Sequence, residues 1–394
     1  MAVVGAGAFG RNHLRVLREL EAEQAGAALV AAVEPNAARA GEAARQFGIS
    51  VFASVDALLR ADLKLDAACV AVPTVKHYEV ASQLLDAGLD LLVEKPLAAT
   101  LSEADALLQN QKRIVQPGHL ERFNPAVLAV EPSLKRPMFF EAHRLSVFTP
   151  RSLDVDVVLD LMIHDLDVVL TFAGSPVREV RAVGLPVVSP RVDIANVRVE
   201  LESGCVANFT ASRVSTERVR KLRFFEPRQY VSIDYARRDV LIIRMEDQKA
   251  GAPNAQLAQA AAEFLKTGKL DAAAMQSILG SGKIPAGLMM KVLAAKNDPE
   301  KLREIAKGLA GPLAESHAQT RSQDGPAPGL SFVKPEVAPG EPLKLEILSF
   351  LESVRTRRPP KVTAQQGRAA LELALAIQAE MAAHAERAGL SQFF

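Results

Sequence analysis

Six residues near the start, Gly5-Ala6-Gly7-Ala8-Phe9-Gly10, restrict the fold more than any other segment. They read G-x-G-x-x-G and sit between a short apolar run, 2–4, and a stretch of helical periodicity, 13–25. In that setting the first glycine allows a tight turn and the second lets a backbone approach a pyrophosphate. The third lets helix and strand pack closely. The helix N-terminus behind the turn then presents N–H groups to the anion. Gly5, Gly7, Ala8, Phe9 and Gly10 are therefore candidate dinucleotide-binding residues. A glycine-rich turn alone is a weak signal, but a second strand is expected to end at Glu34, 24 residues after Gly10. A carboxylate there can bind both ribose hydroxyls and repels a 2′-phosphate. NAD is thus expected over NADP, with Arg39 as the nearby feature that would suit a phosphate.

The rest of the first 117 residues continues the pattern. Apolar runs at 28–33, 50–52, 67–72, 90–93 and 113–117 read as strands, and 37–47 and 77–87 as helices. Thr100 and Glu103 have capping-box spacing and start a helix to about Gln111. Strands alternating with helices predict an α/β Rossmann domain with a parallel sheet over 1–117. From 118 to 250 one helix near 154–173 is followed by strand-like runs at 179–188, 193–202, 205–213, 219–225, 229–234 and 239–245. Strands without intervening helices imply a largely antiparallel sheet, hence an α+β second domain. Residues 251–321 read as a helical insertion, with segments near 254–267, 270–279, 285–296 and 298–309; with its return linker the insertion occupies 251–336. Helices at 342–356 and 364–386 close the second domain, which comprises 118–250 and 337–394.

Composition excludes whole classes. A formal net charge of +1 gives no electrostatic footprint for nucleic acid. No apolar run approaches the ~20 residues of a spanning helix. The N-terminus lacks a charged segment followed by an apolar one, and it starts abruptly enough to suggest a truncated or reassigned start. Its two cysteines, Cys69 within an apolar run and Cys205, form neither a disulfide framework nor a zinc site. A cytoplasmic protein without a metal is expected.

Two further segments follow predicted strands at the end of the sheet where open α/β folds bind ligands: Pro73-Thr74-Val75-Lys76-His77 and Glu94-Lys95-Pro96. A strand-end lysine is usually a solvated group, but one aimed into a cleft can donate to a substrate hydroxyl. The position before proline is extended, and a cis Lys95-Pro96 bond is a possibility there. On the helix near 154–173, Asp160, His164 and Asp167 are spaced i, i+4, i+7 and form one stripe beside an apolar face. Such a stripe lines a cleft edge, and a histidine oriented there by a carboxylate can accept a proton as a hydride leaves the same carbon. Which of Lys95 and His164 accepts that proton stays open.

These residues together resemble the Gfo/Idh/MocA oxidoreductases. The resemblance rests on the glycine turn, on Pro73-Thr74-x-x-His77, on Glu94-Lys95-Pro96 and on Asp160-x-x-x-His164, and covers roughly 1–250 and 342–394. It implies an open-faced sheet in the second domain and catalytic roles for Lys95 and His164, with Asp160 as partner or substrate ligand. It also implies cofactor contacts at Pro73, Thr74, His77, Glu94 and Lys95. A narrower resemblance, to the branch containing UDP-N-acetylglucosamine 3-dehydrogenases, comes from Gly118-His119-Leu120-Glu121-Arg122-Phe123-Asn124-Pro125 and from Arg151-x-x-Asp154 leading into Asp160 and His164. It implies oxidation at C3 of a UDP-amino sugar, for lipid A or surface polysaccharide, with His119, Glu121, Arg122, Asn124, Arg151 and Asp154 near the substrate. Arg122 and Arg151 have the chemistry to pair with a diphosphate. The insertion departs from the family's usual length.

Alternative readings are a free-sugar or inositol dehydrogenase of the same family, and a non-catalytic NAD-binding sensor, which would have no need of Lys95, Asp160 and His164. The insertion is expected to cover a sheet edge rather than dock a partner. The resemblance implies burial of the open sheet face against another copy, so a homodimer or homotetramer is expected.

Overall fold

The computed structural model of the chain describes residues 1–109, 112–149, 155–245, 298–310 and 330–390. The chain divides into two compact units, 1–242 with 333–394, and 243–332.

The first unit opens with six strands: β1 (Ala2–Val4), β2 (Ala31–Val33), β3 (Ser50–Phe52), β4 (Ala67–Val70), β5 (Asp90–Glu94) and β6 (Val115–Gly118). They form one sheet in the order β3-β2-β1-β4-β5-β6, with every pair parallel. The strand expected at 28–33 shortens to Ala31–Val33 because its neighbours β1 and β3 each offer only three residues of ladder. Helices α1 (Ala8–Ala22), α2 (Ala37–Phe47), α3 (Val55–Arg60), α4 (His77–Asp86) and α5 (Leu101–Leu108) cross over between them. Their starts follow local chemistry. Asn36 and Ser54 accept from the backbone N–H groups of Arg39 and Ala57, and Thr100 with Glu103 forms the expected capping box.

After the short helix α6 (Pro125–Val130) comes β7 (Phe139–Leu145), a strand not anticipated from the sequence although its alternating burial is regular. Next are a π-helical turn, Val158–Met162, and α7 (Ile163–Ala173), where a single helix was expected. Then follow β8 (Val177–Leu185), β9 (Ile194–Leu201), β10 (Val206–Ser212), β11 (Val219–Glu226), β12 (Gln229–Asp234) and β13 (Asp239–Met245). Neighbours run β13-β12-β11-β7-β10-β9-β8. The expected antiparallel character holds, with one parallel pair, β7 with β10. Helix α7 is fixed on this sheet by aromatic packing: Phe140 and Phe224 face each other across β7 and β11 at 5.6 Å, and Phe172 meets Phe224 edge-on at 6.0 Å. Each such pair adds about 0.5–1.5 kcal/mol beyond area burial.

In the second unit, helix α8 (Pro299–Ala310) falls where the last insertion helix was expected. A short strand, β14 (Leu330–Val333), interrupts what was expected to be a return linker. The other expected insertion helices lie outside the described residues.

Helices α9 (Pro342–Thr356) and α10 (Ala364–Arg387) close the first unit. Both were assigned to the second domain, and for α9 the packing differs. Its Ile347, Phe350 and Leu351 are buried with Val3, Leu14 and Leu17 on one face of the parallel sheet. The reason is composition: the α1 face of that sheet is largely apolar and needs a cover, and its buried Gln116 and Asp90 find partners at Glu346 and Arg357 of the covering segment. Helix α10 serves two cores, burying Ala364 and Leu371 with the parallel sheet and Leu373, Ile377 and Met381 with the second sheet. Among the described residues no helix is long and apolar enough to cross a membrane.

Candidate active site

The glycine turn has the geometry its sequence requires. Gly5 has φ +96°, and a Cβ at Gly10 would stand 1.8 Å from the Gly5 carbonyl oxygen, so position 10 admits no side chain. Around Gly7, by contrast, the space a Cβ would take is open within 4 Å. Gly7 is also the N-cap of α1 and offers no capping side chain. The first N–H groups of that helix are thus left for a ligand, the arrangement that receives a pyrophosphate. Ala8 and Phe9 are exposed at the same corner.

Glu34 directly follows β2 beside the turn and is buried. Its Oε2 accepts from the Ala6 N–H at 3.0 Å, and its Oε1 accepts from the Asn36 N–H at 2.9 Å and Arg39 Nη2 at 3.0 Å. Burial alone would raise its pKa, but those three donors outweigh it and hold the carboxyl below its ordinary range. Arg39 is therefore paired with Glu34. An ionised carboxylate against an open glycine turn fits the ribose and pyrophosphate of a dinucleotide.

The two strand-end segments meet at the same edge of the sheet. Lys95-Pro96 is a cis peptide. Pro73 and Thr74 open a short turn on the exposed side. His77 does not join them as a ligand residue. It is buried, with Nδ1 2.8 Å from the Pro96 carbonyl and Nε2 3.0 Å from the Val72 carbonyl, so it braces one turn against the other. Glu94 is held from two sides, 2.8 Å from His13 Nε2 and accepting the Lys95 N–H at 3.3 Å.

Lys95 reaches into the second domain. Its Nζ donates to the Asp160 carbonyl at 2.6 Å and the Leu159 carbonyl at 3.3 Å, and lies 3.9 Å from the Asp160 carboxylate. Both carbonyls belong to the π-helical turn, a local widening that recurs at functional sites. Burial pushes the ammonium pKa down, and the Asp160 and Glu94 carboxylates offset part of that. His164 sits one turn further along. Its Nδ1 is buried without a partner, and it makes no hydrogen bond to Asp160. Burial, then the positive charges of Lys95, Arg144, His119 and Arg220, hold its pKa well below the ordinary imidazole value. It is neutral near pH 7, the state a proton acceptor needs.

The expected stripe therefore needs correction. Asp160 faces Lys95 rather than orienting His164. Asp167 is not at the cleft edge but fully buried, 3.6 Å from Arg122 Nη1 and 3.9 Å from His119 Nδ1. The stripe assumed 3.6 residues per turn, and the π turn widens the helix between Asp160 and His164.

The segment after β6 also differs from expectation. Arg122 is buried and donates to Thr171 Oγ1 at 2.5 Å, so its guanidinium is spent inside the domain rather than available to a diphosphate. Glu121 accepts from Arg144 Nη1 at 2.9 Å and Asn124 Nδ2 at 3.0 Å, while Asn124 also caps α6. These residues form structure. His119 is buried, and neither ring nitrogen makes a hydrogen bond. Arg151 and Asp154 lie outside the described residues.

What sequence reasoning missed is the anchor of this network, Arg144 on β7. It binds Asp165 through Nε and Nη2 at 2.7 and 2.9 Å, and its guanidinium lies 5.1 Å from the Tyr235 ring centroid. Asp165 directly follows His164 and was the available signal.

Comparison with known proteins agrees with this geometry. The family model described as oxidoreductase family, NAD-binding Rossmann fold, matches residues 1–119, and that of the GFO/IDH/MocA C-terminal domain matches 128–227. A UDP-N-acetylglucosamine 3-dehydrogenase of Acidithiobacillus ferrooxidans is 38% identical over 237 residues, 59% of this chain and 73% of that one. A scyllo-inositol 2-dehydrogenase (NAD(+)) of Bacillus subtilis is 27% identical over 232 residues, 54% of this chain and 67% of that one. The solved structure of UDP-N-acetylglucosamine 3-dehydrogenase from Acidithiobacillus ferrooxidans superposes with a TM-score of 0.72 at 29% identity, covering 97% of both chains.

Proposed function

Since the chain belongs to the GFO/IDH/MocA oxidoreductase family and its relatives are dehydrogenases, we propose that it oxidises the C3 hydroxyl of UDP-N-acetylglucosamine or a related UDP-amino sugar with NAD. The observation that carries the reading is a buried ammonium, Lys95, gripped by the turn that leads into a neutral His164 whose Nδ1 has no partner. The bound nicotinamide supplies the hydride acceptor. Gly5, Gly7, Ala8, Phe9 and Gly10 hold the pyrophosphate, Glu34 the adenosine ribose, and Pro73, Thr74 and Glu94 border the nicotinamide end. The ionised Glu34 carboxylate favours NAD over NADP, because it repels a 2′-phosphate and draws Arg39 to itself.

His164 takes the hydroxyl proton, and Lys95 donates to the oxygen as negative charge develops there. The Asp160 carboxylate offsets part of the effect of burial on the ammonium. In this reading the 3-keto product goes to transamination for lipid A or surface polysaccharide, in the cytoplasm, and the enzyme assembles as a homodimer or homotetramer through its open sheet.

The test mixes protein, NAD and UDP-N-acetylglucosamine with a transaminase to draw off product, and follows reduced cofactor by absorbance. Turnover on the nucleotide sugar that exceeds turnover on inositols and free sugars is expected. The reverse preference would move the reading to an inositol or free-sugar dehydrogenase, the alternative favoured by the Bacillus subtilis relative.

A further inference from the structure

The second sheet brings to the site a second guanidinium that makes no direct ion pair among the described residues. Arg220 on β11 lies directly opposite Arg144 on β7 in antiparallel register, so both side chains leave the same face. The carboxylates on that face are committed: Asp165 takes two hydrogen bonds from Arg144, and Glu121 takes one from Arg144 and one from Asn124. Arg220 has no ion pair with any described residue, it is half-buried, and its Nε is buried without a hydrogen-bond partner. It also stands close enough to His164 for its charge to act on that imidazole. A partly dehydrated guanidinium that touches no carboxylate directly is unfavourable, and it costs least where a ligand brings the anion.

We propose that Arg220 binds the anomeric phosphate of the substrate and thereby selects phosphorylated sugars over neutral polyols. This rests on the reading of the site as a sugar dehydrogenase. The chemistry of the substrate suits it: the anomeric phosphate hangs two ring carbons from the hydroxyl that reacts at His164, on the same small ring. Arg144 cannot take the role, because its Nε, Nη1 and Nη2 already donate to Asp165 and Glu121 beneath a tyrosine ring.

The experiment compares wild type with Arg220→Met and Arg220→Lys on UDP-N-acetylglucosamine, N-acetylglucosamine 1-phosphate and free N-acetylglucosamine. It is paired with calorimetric titration of UDP and of NAD. For Arg220→Met we expect the preference for phosphorylated over free sugar to shrink about 30-fold, mostly in KM, the scale of one charge-assisted hydrogen bond. UDP affinity should fall by a similar factor, NAD affinity should stay within about 2-fold, and Arg220→Lys should recover part of the loss. Equal losses on phosphorylated and free sugar, or unchanged UDP affinity, would overturn the proposal, as would a wild type that does not bind UDP. If the wild type binds UDP through Arg220 yet turns over no UDP-N-acetylglucosamine, the substrate reading fails while the role of Arg220 stands.

Discussion

The nucleotide side of the site and its substrate side were built from equally suggestive sequence, yet they behave differently. On the nucleotide side, recognition is made by backbone: open space at Gly7, a helix N-terminus without a side-chain cap, and a strand-end carboxylate held by neighbours at positions 6, 36 and 39. On the substrate side, charged residues from β7, α7 and the turn after β6 neutralise one another first, and only the remainder faces the cleft. Local recognition survives a reading along the chain. Recognition by leftover charge becomes readable only when the partners are known.

The largest test of that contrast removes the groups on which the two sides converge. Lys95→Ala and His164→Ala should each cut turnover by about 10³-fold while NAD affinity, read by fluorescence titration, stays nearly intact. A matching loss of NAD binding would mean the two sides are not separable. Next comes Arg144→Met, which leaves Asp165 and Glu121 buried without their cation. Thermal or urea unfolding should register a loss of about 3–5 kcal/mol, and little change in stability would mean that the network is not what holds the substrate side.

A smaller effect is expected on the nucleotide side. Glu34→Gln should weaken NAD by about 10-fold, the scale of a hydrogen bond to a charged acceptor, and narrow the preference against NADP; an unchanged ratio of the two would remove Glu34 from cofactor choice. The mildest signature is in pH. The neutral form of His164 is the competent one, and its folded pKa lies well below the ordinary value. Activity should therefore persist below about pH 6.5 and fall only as pH drops through the depressed value. The same group costs stability as pH falls below the unfolded imidazole pKa, since the unfolded chain then binds the extra proton. A kcat/KM profile whose acid limb lies at or above about pH 6.5 contradicts the assignment.

Most of the parallel sheet was legible because most strands are short apolar runs and α2, α3 and α5 each start at a capping side chain. Thr100 with Glu103 is an instance that sequence and structure share. Strand β7 was hidden because Phe139-Phe140-Glu141-Ala142-His143-Arg144-Leu145 puts a buried arginine on the inward face, and a charged residue there reads as a break in alternation. Arg122 and Glu121 looked like ligand residues because a lone charge reads as a surface group, and their partners are 49 and 23 residues away along the chain. The π turn was invisible for a different reason: no residue type marks it, and helical spacing is counted as if every turn were alike.

Helix α10 gives that turn a mechanical context. Gln378, on α10, donates to Asp156, whose other oxygen accepts the N–H groups of Val158 and Leu159 at the start of the turn that grips Lys95. Because the same helix is wedged into both hydrophobic interiors, it works as a tie rod. Loosening it anywhere along its length would slacken the lysine's grip, so damage far from the nicotinamide should be felt as a lost proton-handling geometry before it is felt as a lost fold.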